Sequence, residues 1–170
     1  MSPTPTIHAN CVVCGERGVL ILGPSGVGKS GFSASLIARA RAAGLFSRLV
    51  ADDRVFLAAH HGRLIARPHP MLAGLIERRG LGITAEPHLA SAVIGLVVEL
   101  ADAAERLPAS ETLTREIEGV TLPTLSLDPR DPEAAGHALS RLELGHWVSN
   151  CDRFALAFAP QHEKIARSAS

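Results

Sequence analysis

The sequence predicts an α/β fold: one domain with a mixed, partly antiparallel sheet around a single glycine-loop helix. Three observations carry this. Val19-Leu20-Ile21-Leu22 is apolar at every position, as in a strand covered on both faces. It runs into a glycine-rich loop, Gly23 to Lys29, and then into Ser30 to Ala43, where Phe32, Leu36, Ile37 and Ala40 recur at helical spacing. The remaining β-rich runs are short and separated by turn residues, so they read as hairpins and buried strands rather than a regular βαβ series.

In chain order, Ile7 to Val13 is a β-rich run and Gly15-Glu16-Arg17-Gly18 a turn. Gly44 stops the helix that begins at Ser30. Arg48 to Ala51 is a strand ending at Asp52-Asp53. Val55 to Ala59 and Leu64 to Arg67 form a hairpin around His60-His61-Gly62-Arg63. Pro68 and Pro70 precede a short expected helix, Met71 to Ile76, which leads into Glu77-Arg78-Arg79-Gly80-Leu81-Gly82-Ile83. Ala92 to Leu100 is a second buried-type strand, and Thr112 to Ile117 with Val120 to Leu127 forms a hairpin about Gly119. Asp131, Pro132 and Glu133 suit the start of a helix reaching Val148.

At 170 residues, with 46% hydrophobic and 20% charged, the chain has the length and composition of one globular domain. Residues 1–170 are expected to form it, with 131–170 as its C-terminal helical segment. The 17 basic residues balance 17 acidic ones, which argues against broad binding to nucleic acid or an anionic membrane. No basic segment followed by an apolar run opens the chain, and no apolar stretch reaches the roughly 18 residues of a membrane span. A soluble cytoplasmic protein is expected. Three cysteines do not make a disulfide framework, and Cys11-Val12-Val13-Cys14 reads as buried strand residues rather than a metal or redox pair.

Gly23-Pro24-Ser25-Gly26-Val27-Gly28-Lys29-Ser30 matches GxxxxGK(S/T), the P-loop pattern, between an apolar strand and an amphipathic helix. Glycines let successive N–H groups curl round a phosphate, Lys29 reaches the terminal phosphates, and the Ser30 hydroxyl suits Mg²⁺. Chance matches are on the order of one per cent for such a chain. Lys29 and Lys164 are the only lysines, and Ile165 follows Lys164, so the guanine-reading NKxD of a GTPase is absent. A nucleic-acid motor would be larger and more basic. A small kinase, a related phosphotransferase and a nucleotide-binding regulator remain.

Asp52 and Asp53 end a strand beyond the P-loop helix, where a carboxylate commonly holds Mg²⁺ or its waters. Neighbouring strand residues face opposite ways, so one carboxylate is expected to face the phosphates and the other a hairpin or solvent. If both approached, their repulsion would raise the pKa of one. An Asx turn opening the next hairpin is the structural alternative.

Together, Ile7-His8, the P-loop, Ala51-Asp52-Asp53-Arg54-Val55 and Glu77-Arg78-Arg79-Gly80-Leu81-Gly82-Ile83 resemble the catalytic domain of HPr kinase/phosphorylase, over roughly Ile7 to Leu127. The resemblance implies a single P-loop kinase domain of the short form, without the N-terminal domain of longer members. It implies phosphorylation of a serine of the phosphocarrier HPr by ATP and, in many members, removal of that phosphate by inorganic phosphate with release of pyrophosphate. It also implies regulation of the phosphotransferase system and carbon metabolism.

Carried over by position, Gly23, Pro24, Ser25, Gly26, Val27, Gly28, Lys29 and Ser30 would cradle the nucleotide. Ser30 and Glu77 would hold Mg²⁺, supported by Asp53. Asp52 would take the seryl proton and return it in the reverse direction, and His8 would lie close to Asp52 and tune it, unless it is an ordinary strand histidine. Arg106 would handle phosphate. Arg79 would be a phosphate contact or part of a turn-stabilising ion pair. The family resemblance also implies homo-oligomers, commonly hexamers. The helix carrying Leu139, Leu142 and Trp147 would pack between subunits, bind the substrate, or pack on its own sheet.

The chain departs from the family pattern at three places. Gly31 replaces an acidic residue after the P-loop serine, no tyrosine precedes Arg106, and Asp128-Pro129-Arg130-Asp131 replaces a loop associated with the protein substrate and the reverse reaction. A regulatory module without turnover, and a kinase acting on another hydroxyl compound, stand as alternatives.

Overall fold

In the computed structural model, residues 6–78, 80–101 and 114–142 are described. Strands β1 (Thr6–His8), β2 (Asn10–Cys14) and β3 (Arg17–Leu22) lead through the glycine-rich loop into helix α1 (Lys29–Ala42). Strands β4 (Ser47–Ala51), β5 (Arg54–His60) and β6 (Arg63–Pro68) follow, then a 3₁₀ turn (Pro70–Leu72), β7 (Leu75–Arg78), β8 (Gly82–Ala85) and β9 (Ala92–Leu100). After β10 (Thr114–Ile117) and β11 (Val120–Leu127), residues 134–142 are helical.

A nine-stranded mixed sheet has seven strands in the order β1-β5-β6-β9-β3-β2-β4, with β11 branching from β9 and β10 pairing with β11. The long β9 organises it. One edge of β9 runs parallel to β3; the other takes antiparallel β6 near its start and parallel β11 near its end. The carboxyl ends of β3, β9 and β11 therefore point the same way, at Leu22, Leu100 and Leu127. The glycine-rich loop and Asp128-Pro129-Arg130 follow the first and last of these ends, the place where parallel sheets carry their sites.

The apolar run that predicted β3 is explained by two cores. Val19 and Ile21 join α1 residues Phe32, Leu36, Ile37 and Ala40, together with Ala134, Ala135, Ala138, Leu139 and Leu142. Leu20 faces the other way, into a cluster with Val50, Val55, Leu57, Leu64 and Val97. Each fully buried Leu, Ile or Val adds about 1.5–3 kcal/mol of hydrophobic stabilisation. Leu139 and Leu142 thus pack on the chain's own sheet; Trp147 and the rest of the expected helix to Val148 lie outside the described residues. Cys11 and Cys14 are buried free thiols that enter opposite cores, as strand residues three apart must, and burial pushes both thiols up.

Two expectations change. The run Ile7 to Val13 is two strands: β1 pairs with β5, whereas β2 pairs with β3 and β4, so the chain crosses between the halves of the sheet at Ala9. Met71 to Ile76 is not a helix. Gly74 sits at φ 76°, which breaks any helical run, and Leu75–Arg78 pairs antiparallel with Gly82–Ala85. The first residues of the expected strand at Thr112 lie outside the described part. The hairpin around His61-Gly62 is as expected, and both turn residues take positive φ, the two-residue turn whose twist matches the strands.

Candidate active site

The loop after β3 turns under the end of β9. A Cβ on Gly23 would lie 2.8 Å from the Leu100 carbonyl oxygen and 3.0 Å from Val27 Cγ1, so only glycine fits there. Gly28, at φ 111°, precedes α1, whose N-terminus has no side-chain cap and no acidic residue in its first turn. The first turn therefore brings no cap or carboxylate of its own to its N–H groups and the positive end of its dipole. Lys29 is only 6% exposed, and its amine donates to the carbonyls of Gly23 (3.0 Å) and Pro24 (2.9 Å). Burial lowers the Lys29 pKa, opposed by the charges of Asp53 and Asp52. Pro129, after β11, lies 3.6 Å from where a Gly28 Cβ would stand, so the end of β11 borders the loop.

Asp52 follows β4 and is 6% exposed. Its Oδ1 accepts from the Ser30 hydroxyl at 2.9 Å and from the Asn10 amide, and its Oδ2 accepts from the Glu77 N–H at 3.0 Å. Four segments distant in sequence thus meet at one carboxylate: the start of β2, the first turn of α1, the end of β4 and β7. Burial raises the Asp52 pKa above the ordinary carboxylate value, and Asp53 adds to that; the Glu77, Ser30 and Asn10 hydrogen bonds act against it. A carboxyl group balanced in this way suits proton transfer.

The Asp53 carboxylate takes no part in these hydrogen bonds, although its charge acts on both Asp52 and Lys29. Asp53 takes φ 68°, a left-handed conformation that aspartate tolerates better than most residues, and its carboxylate pairs with His8 Nε2 at 2.6 Å. The two aspartates form the bend between β4 and β5, and they separate there: Asp52 is buried and Asp53 exposed, with the left-handed turn at Asp53 rather than strand alternation setting them apart. His8 was expected beside Asp52, but the structure pairs it with Asp53, because β1 pairs with β5 and sets His8 opposite Arg54, next to Asp53.

Glu77 brings its backbone N–H to Asp52, and its side chain is exposed. Arg106 and Arg79 lie outside the described residues. Asn10 and Ser33 are site residues that sequence reasoning missed. Asn10 is 1% exposed and Ser33 fully buried, and the Ser33 hydroxyl donates to the Lys29 carbonyl at 2.8 Å. The available signal for Asn10 was a polar residue opening the otherwise apolar run Cys11 to Cys14.

A family model described as the HPr Serine kinase C-terminal domain matches residues 1–130, a span that includes the glycine-rich loop, both aspartates and Glu77. The chain belongs to the HPr serine kinase C-terminal domain family. Among similar members, the HPr kinase/phosphorylase of Mycoplasma mycoides is 43% identical over 82 residues, covering 48% of this chain and 24% of that protein. That of Clostridium tetani is 38% identical over 89 residues, 52% of this chain and 27% of its own length. The chain therefore spans about a quarter of the length of the curated relatives it matches. The solved Hpr(Ser) kinase/phosphatase of Coxiella burnetii superposes with a TM-score of 0.67 at 25% identity, over 85% of this chain and 97% of that one. Family membership and the mixed α/β sheet thus agree with the resemblance carried by the motifs. Among the described residues, no helix is long and apolar enough to cross a membrane.

Proposed function

We propose that the chain is a Mg-ATP-dependent protein serine kinase acting on HPr in the cytoplasm, with a phosphorolytic reverse reaction through the same carboxylate. The observation that carries this reading is the buried Asp52 carboxylate, tied to the Ser30 hydroxyl at the foot of an uncapped helix. Gly23 to Ser30 hold the nucleotide phosphates through backbone N–H groups, and Lys29 exchanges its two loop carbonyls for phosphate oxygens. The donor set fits magnesium: Ser30 and the exposed Glu77 offer hard oxygens, with Asp53 in support, and Mg²⁺ needs few protein ligands when phosphates supply the rest. When bound, the ion neutralises phosphate charge.

In the forward direction Asp52 accepts the seryl proton as the seryl oxygen bonds to the γ-phosphorus and the bond to the ADP oxygen breaks. In the reverse direction a phosphate oxygen bonds to the phosphoserine phosphorus as its bond to the serine oxygen breaks, Asp52 returns the proton to that serine oxygen, and the pyrophosphate formed is released. Arg106 completes phosphate handling, and His8 acts on Asp52 through Asp53. By family resemblance the protein assembles as a homo-oligomer, a hexamer.

The test is transfer of labelled γ-phosphate to purified HPr. Wild type should label the carrier, and Asp52→Asn should bind ATP but not transfer. Binding without transfer by wild type would instead establish a regulatory module or a kinase for another hydroxyl substrate. Adding phosphate to phosphorylated HPr and measuring pyrophosphate tests the reverse reaction.

A further inference from the structure

Asn10 stands where the β2–β4 ladder ends. Cys11 pairs with Ala51, but the chain on the other side of Asn10, β1, pairs with β5 instead, so among the described residues the β2–β4 ladder stops short of the Asp52-Asp53 corner. The Asn10 side chain takes that place. Its Oδ1 accepts the Asp53 N–H at 3.0 Å, while its Nδ2 donates to Asp52 Oδ1 and, at 3.2 Å, to the Ser33 hydroxyl. The partners decide which end of the amide is oxygen, because an N–H only donates and a carboxylate only accepts. The Ser33 oxygen is available because its own proton goes to the Lys29 carbonyl.

We infer that Asn10 is a positioning residue, gripping Asp52 and the Asp53 turn from both ends of one amide and so presenting Asp52 Oδ2 to the substrate hydroxyl. The inference rests on the reading of Asp52 as the proton-transferring group. An ionised carboxylate offers about four acceptor directions. Asn10 and Ser30 take those of Oδ1, and the Glu77 N–H takes one of Oδ2, which leaves the substrate-facing direction on Oδ2. The grip also accounts for the backbone: the bond from Asp53 N–H holds that residue in its left-handed conformation, in which its carboxylate pairs with His8. An apolar side chain at position 10 would remove the side-chain partner of the part-buried Asp53 N–H and free the Asp52 carboxylate to rotate.

The experiment compares wild type, Asn10→Leu, the milder Asn10→Ser and Asp52→Asn, measuring transfer to HPr per ATP-binding site. Asn10→Leu should lose kcat roughly ten- to a hundredfold, the range for residues that orient a reacting group, with the KM for ATP near the wild-type value. Asn10→Ser should fall between Leu and wild type. Fewer ATP-binding sites with unchanged kcat per site would mean a role in folding only and would overturn the inference. If Asp52→Asn transfers at the wild-type rate, the reading of Asp52 fails and this inference with it. If Asp52→Asn is inactive while Asn10→Leu is unimpaired per site, the Asn10 inference alone fails. Independently of turnover, a crystal structure of whichever Asn10 variant folds should show a rotated Asp52 carboxylate or an Asp53 that has left positive φ; both unchanged would overturn it.

Discussion

Asp52 and Lys29 are both held where their charged forms are disfavoured by burial, the carboxyl with its pKa raised and the amine with its pKa lowered. For Asp52 the sign has a functional consequence. The forward reaction needs the carboxylate, so transfer to HPr should fall as pH drops through a value above the ordinary aspartate value of about 3.9. The reverse reaction needs the acid, so phosphorolysis should fall as pH rises through the same group. Rate–pH profiles in the two directions should therefore slope oppositely on this limb, and parallel profiles would exclude Asp52 as the shared proton carrier. Lys29→Met should abolish detectable ATP binding in a calorimetric titration while circular dichroism stays that of wild type. Lys29 was legible in the sequence because motif spacing on one strand–loop–helix unit places it, and Asp52 because it ends the next strand beyond that helix. Asn10 was not, since its partners lie 23 to 43 residues away and meet it only when β2, α1 and β4 pack.

At the level of elements, the glycine-rich loop and the approach to the second helical run are held by specific backbone geometry. Gly23→Ala would push a methyl group against the Leu100 carbonyl, which belongs to β9 and cannot swing aside. A loss of roughly 1–3 kcal/mol in urea unfolding is expected, with weaker ATP binding. The turn leading into residues 134–142 is capped: the Asp131 carboxylate accepts the Glu133 N–H at 2.9 Å, and the Asp131 carbonyl accepts the Ala134 N–H at 3.1 Å. Asp131→Ala should cost about 1 kcal/mol by the same measurement. The Asp-Pro-Glu start was readable because caps are local chemistry. The segment Met71 to Ile76 misled because its apolar spacing suits a helix, while the decisive features were the left-handed Gly74 and a partner strand at Gly82–Ala85.

For the whole molecule, β9 joins antiparallel β6 and its neighbours to β3 and β11, which run parallel to it, and α1 with residues 134–142 covers a single face. Leu36, fully buried between them, should be worth about 2–5 kcal/mol on replacement by alanine, seen as a lower unfolding midpoint with kcat per folded molecule retained. Light scattering should give a mass several times the 17.9 kDa of the chain, and a monomer would remove the proposed assembly. The sequence by itself determined the α/β class, the buried β3, the glycine-rich loop with its helix, and the pairing of one inward with one outward aspartate. Each depends on local spacing or turn chemistry, which act over a few residues. Only the tertiary structure decided that β1 and β2 belong to different halves of the sheet, that His8 meets Asp53, and that Glu77 reaches Asp52 through its backbone. Those outcomes depend on strand order and register, which are set by burying two cores at once and leave no short-range pattern in the chain.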